Sequence, residues 1–96
     1  MLLITLMVRI PLFSDIYGAE AGEIVVDGEN ITARHGNTRM TVPIGYLDEV
    51  SIAEKKELGK VKARIIIYDV IGNRSVIEAL MSEPNFYLLK GFIKKR

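Results

Sequence analysis

The chain has 96 residues, no cysteine, no tryptophan and one histidine, which allows one domain over residues 1–96 and excludes disulfides and thiolate-bound metal. Its formal charge is only +1, too mild a surplus to imply nucleic acid as a partner. The charges are nonetheless segregated: residues 1–54 hold three bases against eight acids, a net −5, and residues 55–96 hold ten against four, a net +6. Such a division favours head-to-tail association or an acidic partner. Glutamine is absent while Ile, Lys and Glu are plentiful, a composition that leans towards a heat-tolerant source.

The chain opens apolar, MLLITLMVRIPLF. The run before Arg9 is eight residues, where about 20 are needed to cross a bilayer. Neither a charged leader nor a clean small-residue cleavage site accompanies it, so a cytoplasmic location is expected. Residues 2–10 are predicted as a strand with Leu2, Ile4, Leu6, Val8 and Ile10 on one face. The other face holds Leu3, Thr5, Met7 and Arg9 and is also largely apolar, so both faces call for cover. A helix of the same chain could supply it. So could a second copy, which makes Leu3, Thr5 and Met7 the candidate self-association strand of a homodimer. Residues 11–22, PLFSDIYGAEAG, form a connection long for a hairpin, with Phe13 and Tyr17 expected to fold back onto the core.

Residues 23–52 carry the clearest signal. Asp27-Gly28-Glu29-Asn30 and His35-Gly36-Asn37-Thr38 are turn clusters between alternating, β-branched runs. Taken as two-residue loops with glycine first, both suit a type II′ turn. The second loop then places Arg34 opposite Arg39, Ala33 opposite Met40 and Ile31 opposite Val42. The first places Val26 opposite Ile31, Ile24 opposite Ala33 and Glu23 opposite Arg34. One face of the resulting meander reads Ile24, Val26, Ile31, Ala33, Met40, Val42, and the other Glu23, Val25, Thr32, Arg34, Arg39, Thr41. Both loops give the same sorting independently, and a slip of one residue would invert it. Arg34 and Arg39 repel unless an anion intervenes. Glu23 can supply part of that charge. The row Glu23, Arg34, Arg39 is therefore either a solvated stripe or a contact for an anion or acidic partner, since arginine forks suit carboxylates and phosphates.

Pro43 cannot donate a ladder bond and turns the chain away. A strand follows over 47–54 with Val50 and Ile52 inward, then a charged tip over 54–60. Residues 61–70, VKARIIIYDV, give a strand whose far end is buried on both faces. A turn at 71–74 leads to a strand over 75–80. Lys55, Lys56, Lys60, Lys62 and Arg64 cluster about the 54–64 hairpin as a candidate basic patch, although such a cluster at a turn is commonly solvation alone. Ser82 is a fitting N-cap, with Glu83 and Pro84 in the first turn. A helix is predicted over 82–95, with Phe86, Leu89, Phe92 and Ile93 as one apolar stripe.

Seven antiparallel strands and one C-terminal helix is the element order of the pleckstrin-homology (PH) superfold. In sequence, EIVVDGENITARHGNTRMTVPIGYLDEVSI resembles the run shared by GRAM-like and prokaryotic PH-like domains, with Val42-Pro43-Ile44, Leu47 and Val50 at the hydrophobic positions. It is similar in the same run to the N-terminal domain of the archaeal taxis adaptor family CheF. The resemblance implies a mainly β fold of two near-orthogonal sheets, a PH-like barrel closed by helix 82–95. The family's phosphoinositide signature is a basic cluster in the loop between the first two strands. Residues 11–22 hold acids and no Lys or Arg there, so headgroup binding at that loop is not expected.

Chemistry is sparse. His35 has no second His or Cys beside it in sequence, and one imidazole does not make a metal site. No phosphate-cradling glycine run is present, and Asp48 and Glu49, adjacent in a strand, point to opposite faces. An enzyme is not expected, nor a cofactor. The expected function is a non-catalytic PH-like interaction or scaffold module that binds a protein partner or itself. The alternatives are a peripheral module binding anionic membrane lipid through the 54–64 hairpin, and a carrier of a small apolar ligand.

Overall fold

The computed structural model describes residues 7–93. Within them run seven strands and one helix: β1 Met7–Phe13, β2 Glu20–Asp27, β3 Asn30–His35, β4 Thr38–Pro43, β5 Leu47–Lys55, β6 Lys60–Tyr68, β7 Arg74–Ser82 and α1 Glu83–Lys90. The strands form one antiparallel sheet in the order β4-β3-β2-β1-β7-β6-β5, not the two separate sheets expected. The joint between its halves is slight. β1 meets β7 at one pair, Phe13 with Leu80.

The β2–β3–β4 meander has the register that its loops dictate. Ile24 faces Ala33, Val26 faces Ile31, Ile31 faces Val42 and Arg34 faces Arg39. Gly28 and Gly36 stand at φ +62° and +59° while Glu29 and Asn37 stay at negative φ, the signature of a type II′ turn. Ile24, Val26, Ile31, Ala33 and Val42 are buried, and Thr32, Arg34, Arg39 and Thr41 are not.

The first strand departs from expectation. β1 spans Met7–Phe13 and carries Pro11 in its interior. Proline is tolerated because, among the described residues, no strand pairs with β1 on its second side until Phe13, so no ladder bond is forfeited there. The predicted connection shrinks to residues 14–19, pinned by Asp15 Oδ1, which accepts from the backbone N–H of Tyr17 (2.9 Å) and of Ala19 (3.1 Å). Tyr17 is 83% exposed and does not cap the core. The carboxylate turn aims its side chain outward, whereas Phe13 is half-buried. Leu3 and Thr5 lie outside the described residues.

Topology forces the sheet to curl. β4 and β5 are its two outermost strands, yet only the single 3-10 turn Ile44–Tyr46 separates them. Flat, seven strands would hold their outer members roughly 29 Å apart, while four chain steps reach at most about 14 Å. The edges therefore converge at Pro43 and Leu47, and the inner faces of both halves look at each other.

They enclose one continuous core. Ile10, Leu12, Ile24, Ile31, Val61, Ile65, Ile67 and Met81 are all fully buried in it. Phe86 and Leu89 of α1 plug it, with Phe92 and Ile93 packed behind them. Ile66 is buried too but belongs outside that cluster, as expected for a strand end covered on both faces.

Ser82 caps the helix, its Oγ accepting from Asn85 N–H at 3.3 Å. The helix ends at Lys90 and not near residue 95. Gly91 is a weak helix former, and beyond it the bonds tighten to three-residue steps, Phe92 N–H to Leu89 O and Ile93 N–H to Lys90 O.

Gly22 marks a close approach. A Cβ there would lie 2.1 Å from the carbonyl oxygen of Arg34, the residue before its ladder partner His35. Gly22→Ala is expected to lower stability by roughly 1–3 kcal/mol, read as the urea midpoint. Gly45→Ala, with open space around the new methyl, should shift it by less than about 0.5 kcal/mol.

Candidate functional site

The solvent face of the β1–β4 half carries two cross-strand rows. One runs Arg9, Val25, Thr32, Thr41, and the next Pro11, Glu23, Arg34, Arg39. In the first row the hydroxyls of Thr32 and Thr41 are hydrogen-bonded to each other at 2.9 Å. Arg9 reaches diagonally into the second row. Its Nε donates to Glu23 Oε1 at 2.6 Å, and its Nη2 donates to Glu20 Oε1. Both hydrogen bonds raise the Arg9 pKa, the one to Glu23 contributing most.

This arrangement changes the charge balance expected of the row. Glu23 does stand opposite Arg34, but its carboxylate is taken by Arg9. Among the described residues neither Arg34 nor Arg39 has an ion-pair partner, and both are exposed. Arg9 was legible only with the β1–β2 register in hand, which the sequence, lacking a tight turn between those strands, does not supply.

The local ladder brings the two guanidinium stems as close as a sheet allows. A two-residue loop closes on a hydrogen-bonded pair, here His35 and Thr38. The next pair, Arg34 and Arg39, is then of the non-hydrogen-bonded kind, with Cα atoms about 4.5 Å apart. Two arginines so placed form a fork of donors open to solvent on one side.

The basic hairpin is less free. Lys56 lies 2.8 Å from Glu54 and Lys55 3.8 Å from Glu83. The hydrogen bond from Lys56 holds the Glu54 carboxyl below its ordinary pKa. Lys60 stands over the Phe13 ring, 5.3 Å from its centroid. Lys62 and Arg64 alternate outward along β6, half-buried, with Arg64 set between Ser51 and Glu78.

His35, at the end of β3, is half-buried and not fully exposed. It lines a surface cleft of about 440 Å³ with Phe13, Lys56, Lys62 and Glu78. Among the described residues no group of three His, Asp or Glu could hold a metal ion, and no helix is long and apolar enough to cross a membrane. Met7 is 66% exposed. Val70 and Ile71 project from a turn that Asp69 Oδ1 ties down by accepting from Ile71 N–H and Asn73 N–H.

Compared with family models and with curated proteins, the chain matches none.

An opposed arginine pair with no counter-charge is a standing cost to the fold. Arg39→Glu replaces repulsion by a cross-strand ion pair and is expected to raise stability by about 0.2–1 kcal/mol in low salt, the gain shrinking as salt is added. A denaturation midpoint that falls instead would mean that Arg39 is already partnered.

Proposed function

We propose that the chain is a non-catalytic, PH-like binding module of the cytoplasm, its two half-sheets set near-orthogonal, that takes an acidic protein partner on the β3–β4 face. The observation that carries this is the Arg34–Arg39 pair. Its register is fixed by the loop at Gly36, the carboxylate across the ladder, Glu23, is engaged by Arg9, and its repulsion has no structural return. An acidic partner converts that repulsion into forked, charge-assisted hydrogen bonds.

Self-association through the second face of the N-terminal strand belongs to the same reading, supported by the exposed Met7. Sedimentation velocity that finds monomer alone at high concentration removes it. The lipid alternative, through Lys55, Lys56, Lys60, Lys62 and Arg64, is weakened by the internal pairing of Lys55 and Lys56. The apolar-carrier alternative is not favoured, because the clefts lie on the surface and are lined in part by charged groups.

Chromatography on immobilised poly-L-glutamate tests the proposal with charge-matched variants. The wild-type chain and Lys55→Ser/Lys56→Ser should elute at similar salt, and Arg34→Ser/Arg39→Ser clearly earlier. Equal shifts in both double variants would mark net charge at work and no site. Flotation of the wild-type chain with phosphatidylserine vesicles, abolished by Lys55→Glu/Lys56→Glu, would favour the lipid alternative instead.

A further inference from the structure

We propose that β4 accepts an extended, acid-bearing segment of a partner protein as an eighth strand, with the partner carboxylate directly opposite Arg39. The inference rests on the acidic-partner reading above and adds how that partner is held.

β4 is an outermost strand of the sheet, and its six pairs with β3 run without a register shift. Because His35 and Thr38 close the loop as a hydrogen-bonded pair, Arg39 and Thr41 fall in non-hydrogen-bonded pairs. The N–H and C=O groups of such residues point away from the neighbouring strand, here to the open edge. Pro43, with no N–H, ends the row of donors. Two residues thus offer a complete set of backbone bonds to an incoming strand, and their side chains stand on the same solvent face as Arg34.

Such an edge normally invites pairing with another copy, and a charge on it is a common defence. Arg39 serves as one. Antiparallel pairing of two β4 strands would gather Arg34 and Arg39 of both copies on one face. An acidic strand meets no such barrier. The sheet's other edge, β5, carries Glu49 and Glu54, but its ladder is shifted twice, between Leu47 and Glu49 and between Ile52 and Glu54. Bulges of that kind spoil an edge as a pairing template, so β5 of a second copy is a poor occupant.

Where the edges converge at Pro43 and Leu47 there is least room. The incoming segment therefore seats along the Thr38–Thr41 end, away from the corner. Its chemistry follows from alternation: an acid opposite Arg39, an apolar residue beside half-buried Met40, and a β-branched residue opposite Thr41. Backbone bonds supply affinity in this mode and the alternating side chains supply selectivity.

The test titrates the full chain, isotopically labelled for NMR, with acetyl-Ser-Thr-Val-Glu-Val-Ser-amide. The Arg39 and Thr41 amides should exchange about tenfold more slowly when the peptide is bound. N-methylation at the peptide's Glu nitrogen should weaken binding about tenfold. A peptide with Lys in place of Glu should fail on the wild-type chain and bind Arg39→Glu. If the N-methylated peptide binds equally well, or the peptide fails while poly-L-glutamate is still retained through Arg34 and Arg39, strand addition is overturned and the acidic-partner reading stands. If neither probe engages these arginines, both are overturned.

Discussion

Two-residue loops leave adjoining strands no choice of partner, and everything distinctive about this protein follows from that restriction. Gly28 and Gly36 occupy a region of φ that other residues avoid, and each fixes which residue of one strand lies across from which of the next. Shifting the β2–β3 ladder by one position, with β4 following β3, would bury Arg34 and Arg39 and expose Ile31 and Val42, and shifting the β3–β4 ladder alone would bury Arg39 and expose Val42. The burial of two charges without partners costs far more than the fold has to spare. The core and the arginine pair are thus two consequences of one register, and neither can be altered alone.

The second constraint is the short corner after Pro43. Joining the two ends of a seven-stranded sheet through one 3-10 turn makes the sheet curl until its inner faces meet. The curl leaves a gap that the apolar stripe of α1 fills, with Phe86 and Leu89 fully inside. It also places the solvent face of β3 and β4 on the outside of the curve. Binding there draws on side chains that the core does not use. Among the described residues a single pair, Phe13 with Leu80, joins the halves as one sheet, so the core, more than the ladder, keeps them together.

How far the sequence could be read tracks how local the determining physics is. The meander was legible because its loops and its alternation are contained within 21 consecutive residues, 23–43. The N-terminal strand reads as ending at Ile10 because Pro11 looks like a terminator, yet it runs on to Phe13, and the proline is tolerated because among the described residues no strand lies on its other side, which only the tertiary fold reveals. The sequence overstates the helix because Phe92 and Ile93 continue the apolar spacing past Gly91, where packing persists after the helical bonds have tightened. At the site, Arg34 and Arg39 were legible as an opposed pair. Their isolation was not, since it depends on Arg9 claiming Glu23 across a ladder set by no tight turn.

Both the arginine pair and the open edge depend on which residues face each other across β3 and β4. Nuclear Overhauser contacts between α-protons measure this directly, because only non-hydrogen-bonded pairs in an antiparallel ladder bring those protons close. Strong contacts between Arg34 and Arg39 and between Thr32 and Thr41 are expected. Contacts displaced by one residue, such as Arg34 with Thr38 or Met40, would contradict the register and remove both the arginine pair and the open edge built on it.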